Sequence, residues 1–300
     1  MAIYYYDEYG KKFNSRNFGD DINPFLLSQL FHKSIIESKD ICIVGIGTII
    51  NSRHAKEIEA YKHKIVFSSG VGYGAMPEEF DSTWNFICVR GKKTAQVLNL
   101  PLEAGVCDGA ILLSDYFPLK PGVKKSGTVF IPHVNTGWLC QKGFQQICEE
   151  LGWLYLSPDA QFDEFIETIQ NASLVLTEAM HGAILADTMR TPWLPINFMH
   201  HNAFKWQDWF SSIEEPYQSH SLKPLFWDVK KAGLQALLWA PYKYLKLKLV
   251  KKALKRISKM SPILSADAII DSRRNILRLR VKEINDNYSL PSVFQEAKRF

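Results

Sequence analysis

An α/β protein with two Rossmann-like domains and a helical, basic C-terminal extension is the fold class this sequence predicts, on three observations. Short apolar runs alternate with segments of helical period from residue 3 to residue 196. Several of those runs end in glycine-bearing or polar turns, which parallel strands present at the ligand edge of an open sheet. The charge is also divided: residues 229–259 hold ten Lys or Arg and no acid, and residues 260–300 add seven basic against five acidic side chains. With a net charge of +5, residues 1–228 are left near −7. An acidic body excludes nucleic acid as its partner on electrostatic grounds, whereas the tail suits an anionic surface such as a membrane.

At 300 residues, 46% of them hydrophobic, the chain can bury a sizeable core and is longer than one core usually serves. The expected units are residues 1–125, residues 126–228 and the tail, residues 229–300, with the Pro-, Gly- and Lys-rich stretch 115–126 as linker. Residues 1–8 lack the basic flank and apolar core of a signal peptide, and no run of about 18 apolar residues occurs. The five cysteines have no CxxC spacing and read as reduced core thiols. A soluble, cytoplasmic protein is expected.

Residues 3–6 read as the first strand. The stretch Asn17-Phe18-Gly19-Asp20-Asp21-Ile22-Asn23-Pro24 then leads into a helix whose apolar positions are Phe25, Leu26, Leu27, Leu30 and Phe31. Gly19 suits a tight turn there, and Asp20 or Asp21 a cap. Residues 41–44 and 64–67 are short buried strands ending in Gly45-Ile46-Gly47-Thr48 and Ser68-Ser69-Gly70-Val71-Gly72. Neither turn continues as GxGxxG plus helix, so a dinucleotide site has little support. Residues 84–89 form a strand that delivers Arg90 to the start of a helix running to about Leu98. At that junction a guanidinium fork suits a carboxylate, a phosphate or an ion pair.

The second half repeats the plan. A strand at 128–131 ends in Pro132-His133-Val134-Asn135-Thr136-Gly137, with a helix expected over 142–151, a strand over 153–156 and a helix over 162–172. Residues 174–177 are the strand before Glu178-Ala179-Met180-His181-Gly182, followed by a helix over 183–189 and a last strand at 193–196. His181 thus falls at a strand-to-helix turn, where unpaired amides favour an anion and Gly182 leaves the backbone approachable. An imidazole beside such a site can bind the anion or move a proton. Asn17, Arg90, His133 and His181 all fall at turns able to face one cleft. Further on, adjacent His200 and His201 cannot share a metal on regular structure, and no acid or Cys completes a ligand set, so no metal is expected. Lys205, flanked by aromatics, is a candidate anion contact.

In order, Asn17-Phe18-Gly19-Asp20-Asp21-Ile22-Asn23, Gly45-Ile46-Gly47-Thr48, Arg90-Gly91-Lys92-Lys93-Thr94 and Asp108-Gly109-Ala110 resemble the motifs of the polysaccharide pyruvyl transferase family. Met180-His181-Gly182-Ala183-Ile184-Leu185-Ala186, Pro192-Trp193 and Lys205 continue the resemblance, which covers about residues 3–210. It implies a two-domain fold similar to GT-B glycosyltransferases. It also implies transfer of pyruvate from phosphoenolpyruvate to a sugar of a bacterial exopolysaccharide or capsule repeat unit, as a cyclic ketal, with no metal or cofactor. The acceptor so implied is a lipid-linked oligosaccharide or polysaccharide. Arg90, His181 and Lys205 fall at donor-binding positions by that resemblance. Family members often carry Arg-Leu-His where this chain has Ala179-Met180-His181, so one arginine is missing, and Arg90 and Lys205 remain as cations. For this chemistry His181 and Asp20 are the candidate catalytic pair, donor and acceptor of protons, with His133 able to replace either. Arg90, Lys205, Asn17, His133 and Gly182 are the candidate substrate-binding set. A GT-B-type nucleotide-sugar glycosyltransferase and a non-catalytic carbohydrate-binding protein are the alternatives.

In the tail, Leu234, Leu238, Tyr242, Leu245, Leu249 and Ala253 recur at spacings of three and four, with lysines over much of the remaining surface. Pro241 is expected to start the regular helix, which ends near residue 258, and a second helix is expected around 271–284. The apolar stripe either packs on the acidic body or lies on an anionic membrane, with Trp239, Tyr242 and Tyr244 near the headgroups.

Overall fold

The structure is a computed structural model that describes residues 2–7, 16–119, 125–222 and 234–289. The unit boundary expected at 228 and the middle of the expected linker lie outside the described residues. Four strands, β1 (Ile3–Tyr4), β2 (Ile41–Val44), β3 (His63–Ser69) and β4 (Trp84–Val89), form the first sheet in that order, each pair parallel. Ile41, Ile43, Ile65 and Phe67 enter one core, and Cys42, Val44 and Val66 another. Burial on both faces is why these strands read as continuous apolar runs.

The second sheet holds β5 (Thr128–Ile131), β6 (Leu154–Tyr155), β7 (Leu174–Thr177), β8 (Trp193–Asn197) and β9 (His220–Ser221) in the order β6-β5-β7-β8-β9, again all parallel. The chain leaves β5 toward one edge and from β7 onward builds toward the other. In open α/β sheets the crevice at the carboxyl ends of such a strand pair is where ligands bind. His133 follows β5 there, and Glu178 to His181 follow β7.

The helices are α1 (Phe18–Leu30), α2 (Lys33–Ile36), α3 (Ser52–Glu57), α4 (Lys92–Val97), α5 (Val134–Leu151), α6 (Phe162–Asn171), α7 (Met180–Thr188), α8 (Ala203–Ser212), α9 (Leu234–Ile257) and α10 (Asp267–Tyr288). Three of them start earlier than the apolar periodicity implies. α1, α5 and α7 begin after Asn17, His133 and Ala179, so stretches expected as turns are first helical turns instead. The amides of a first turn lack intrahelical partners, so glycine and polar residues fit there, and the apolar repeat becomes visible only one to two turns later. Gly19 is therefore a helical residue, not the hinge of a tight turn.

The C-terminal helices are built into this body. α9 begins at Leu234, ahead of Pro241, and packs Leu247, Val250, Leu254 and Ile257 with Cys140, Phe144, Ile147 and Cys148 of α5. That face differs from the expected stripe, whose Tyr242, Leu245 and Leu249 are exposed; the side chains of Leu234, Leu238 and Trp239 lie outside the described residues. Ile263 pairs with Trp193 in an antiparallel bridge. α10 then returns across the protein, burying Ile270, Leu277 and Ile284, while Asn285 Nδ2 donates to the Leu30 carbonyl at 2.9 Å. Residues 247–284 therefore stabilise the fold directly. All five cysteines are buried and none is in a disulfide. Leu254→Ala should cost about 2–5 kcal/mol of unfolding free energy and lower Tm accordingly; an unchanged Tm would detach α9 from the core.

Candidate active site

The carboxyl ends of both sheets open on one cavity of about 870 Å³. Tyr6, Thr48 and Tyr73 line it from the first sheet, Asn17 and Asp20 from the start of α1, and His133, His181, His200 and Lys205 from the second half. Of the expected site residues, Asn17, Asp20, His133, His181 and Lys205 are brought together here, whereas Arg90 and Gly182 do not line the cavity.

His181 enters over α1. A side chain on Gly19 would overlap its Nδ1, so the bare helical turn at Gly19 is what admits the ring. Its enclosed nitrogen, Nε2, stands 3.8 Å from Asp108 Oδ2, and neither atom has a hydrogen-bond partner. Asp108 is fully buried and uses its other oxygen to cap Ala110 N at 3.0 Å. Burial, together with the charges of Lys205 and Arg90, pushes the His181 pKa down to about 3, which favours the neutral ring. Burial pushes the Asp108 carboxyl up to about 6, against the pull of the Ala110 amide and of Arg90 and Lys205.

Asp20 and Lys205 add two more groups drawn toward neutrality. Burial raises the Asp20 pKa to about 7, even though Asn17 Nδ2 donates to its Oδ2 at 2.6 Å and the Lys205 charge favours ionisation. Lys205 falls to about 8 through burial and the charge of Arg90, opposed by Asp20 and Asp108. Its Nζ lies 5.9 Å from the centre of the Tyr73 ring. The helix that carries it, α8, is capped by Asn202, whose Oδ1 accepts from Lys205 N and whose Nδ2 donates to the Gly72 carbonyl.

Arg90 does something other than clamp a ligand from the cleft. It is fully buried, with Nε donating to Asp208 Oδ2 at 2.9 Å, Nη1 to Thr48 Oγ1 at 2.6 Å and Nη2 to the Val71 carbonyl at 3.0 Å. Glycine at position 70 makes room for the guanidinium. Asp208 also accepts from Thr94 N and Thr94 Oγ1. Of the partners expected for this fork, a carboxylate, a phosphate or an ion pair, the structure shows a buried ion pair, because α8 covers the strand end. Gly182 is likewise a packing residue: a Cβ there would meet Thr177 Oγ1 and Ile131 inside the body, so its bareness serves the α7 contact with β7 and β5 rather than a bound anion. His133 caps α5, its Nδ1 accepting from Asn135 N. It stacks on His200 with ring centres 5.1 Å apart, and burial drives its pKa down to about 3.

A family model described as polysaccharide pyruvyl transferase matches residues 3–198, which takes in β1 through β8 and every cavity motif except the α8 segment with Lys205. The chain belongs to the polysaccharide pyruvyl transferase family. It is 33% identical over 205 residues to the succinoglycan biosynthesis protein ExoV of Rhizobium meliloti (strain 1021), an alignment covering 67% of this chain and 63% of that relative. The match therefore spans less than two thirds of the relative's length.

Seen as a pyruvyl transferase family site, the cavity depends on four residues that the sequence reading did not single out. Asp108 opens an Asp-Gly-Ala triplet, so its motif was visible and its partner was not. Glu178, buried three positions before His181, accepts from His133 N, Met199 N and His200 N, fixing two cavity loops at once. Asn23 holds Ile46 by both its amide and its carbonyl, pinning the Gly45-Ile46-Gly47-Thr48 turn to α1. Asp208 lies three residues after Lys205, on the same side of α8.

Two outcomes test this geometry. Arg90→Ala should destabilise the protein by about 3–5 kcal/mol in denaturant titration, because Asp208 is left buried and unpaired. Asp20 has a folded pKa above its unfolded value, so its ionisation burdens the native state as pH rises from the unfolded value through about 7. Asp20→Asn should therefore raise Tm more at pH 8 than at pH 5, and an equal effect at both would remove the raised pKa.

Proposed function

We propose that this chain transfers pyruvate from phosphoenolpyruvate to a hydroxyl pair on a sugar of a bacterial exopolysaccharide or capsule repeat unit, forming a cyclic ketal. The observation that carries the reading is the meeting of Asp20, His181 and Lys205 in one cavity at the carboxyl ends of two parallel sheets, a plan we read as GT-B-like. Family membership supplies the reaction class.

The chemistry balances on these groups. One sugar hydroxyl adds to C2 of the donor and a second displaces the phosphate by breaking the C2–O bond. Of the two hydroxyl protons released, one ends on the methylene carbon, which becomes methyl, and the other on the phosphate. Asp20, with a pKa near neutrality, accepts a hydroxyl proton in its ionised form and returns it in its neutral form. His181 is neutral until an anionic donor arrives, and the donor's negative charge raises its proton affinity. Asp108 acts as a positioning residue: its Oδ2 faces His181 Nε2 at 3.8 Å, so a proton gained by the ring would be drawn to that side. Lys205 holds the donor's carboxylate or phosphate; of the two cations that line the cavity among the described residues, Arg53 and Lys205, it is the one whose charge acts on His181.

The test is phosphate release from phosphoenolpyruvate on adding a glycan with a free hydroxyl pair. Wild type should release phosphate only with both present. Folded His181→Ala should turn over about a hundredfold more slowly or worse, and Lys205→Met should raise the KM for phosphoenolpyruvate more than it lowers kcat. Release at the wild-type rate from His181→Ala would remove the residue from the mechanism. No phosphate release across acceptors, with sugar transfer from a nucleotide donor instead, would replace the reading with glycosyl transfer.

A further inference from the structure

α9 has two apolar faces, and the body covers one of them. Leu247, Val250, Leu254 and Ile257 are buried with α5, while Leu245 and Leu249 stand 54% and 53% exposed and Tyr242 44%. These three lie at spacings of three and four and so share one side of the helix. Lys248, Lys252 and Lys255 form the adjoining outward row and are exposed as well. Lys246 sits over the Tyr242 ring at 4.0 Å, and Lys248 over Tyr244 at 4.4 Å. Lys251 points toward the body and pairs with Glu150 of α5 at 2.7 Å. Residues 229–259 themselves contain no acid, and the carboxylate of Glu150 on α5, paired with Lys251, also acts on Lys248.

Apolar side chains ordinarily leave water, and a row of cations ordinarily collects acids. An outward face with exposed leucines, tyrosines and lysines together, and no acid among them, is complementary to a surface that is apolar below and anionic above. Lysine stems lie along the apolar row while their ammonium groups reach the headgroup phosphates, and tyrosine suits the boundary between them. No described helix is long and apolar enough to cross a membrane, so such contact runs in the plane of the surface. The acidic residues 1–228 are repelled from the same surface, which orients the protein with α9 down.

We propose that the outward face of α9, Tyr242, Leu245 and Leu249 with Lys248, Lys252 and Lys255, docks in plane on an anionic lipid surface. The proposal is independent of the transfer reaction. Because α9 and α10 stabilise the fold, the test uses the full chain with point substitutions rather than a truncation. Wild type should sediment with vesicles of phosphatidylglycerol and phosphatidylcholine in equal parts, not with phosphatidylcholine alone, and binding should weaken as salt is raised. Leu245→Glu/Leu249→Glu and, separately, Lys248→Glu/Lys252→Glu should each reduce the partition coefficient at least about tenfold at unchanged Tm. Equal binding to both vesicle types, no binding, or undiminished binding by either double variant overturns it. Self-association of the wild type that Leu245→Glu/Leu249→Glu abolishes would assign the face to a second copy of the chain instead.

Discussion

The buried pair between Arg90 and Asp208 ties the two halves of this protein at the point where the site is built. Arg90 comes from the end of β4 and Asp208 from α8, which follows the second sheet's β8. A pair of opposite charges sealed from water holds only if its remaining donors and acceptors are satisfied, and here Thr48, Val71 and Thr94 satisfy them. Lys205 stands one helical turn before Asp208. Anchoring Asp208 against the first sheet therefore also sets where the lysine enters the cavity. Burial does most to lower the proton affinity of Lys205 and of His181, and the Arg90 charge adds to it.

Around that anchor, buried polar side chains of α1 and of the β7 end hold the loops. Asn23 fixes the turn after β2, and Glu178 gathers the backbones after β5 and β8. Glycines are used for approach: position 19 admits the His181 ring and position 70 admits the Arg90 guanidinium. What remains facing the cavity is a small set of groups whose pKa values burial has drawn toward neutrality or below it. Such a set is costly for stability and useful for moving protons.

The strands were legible because both faces of each sheet are buried, which turns residues 41–44, 64–67, 128–131 and 174–177 into unbroken apolar runs. Helix starts were not, since first turns at Phe18, Val134 and Met180 tolerate glycine and polar residues that also suit loops. His181, Asp20, Asn17, His133 and Lys205 could be picked out by type and by place at the ends of elements. Arg90 could be picked out too, but not its partner, which lies 118 residues away on a helix the periodicity did not mark. The same holds for Asp108, whose meaning depends on a histidine brought in from the other half. In the tail, apolar spacing identified a helix but not which of its faces packs on the body, because α9 carries apolar rows on two sides.

Carbon-13 NMR with phosphoenolpyruvate labelled at C2 reads directly whether the proposed transfer joins that carbon to two sugar oxygens. Full-length protein with a glycan bearing a free hydroxyl pair should convert the labelled carbon from its enol resonance to a saturated ketal carbon that stays with the glycan, alongside a new methyl group. A labelled carbon that stays unsaturated on the glycan as an enol ether, or one that leaves as free pyruvate at the same rate with and without acceptor, would contradict the account.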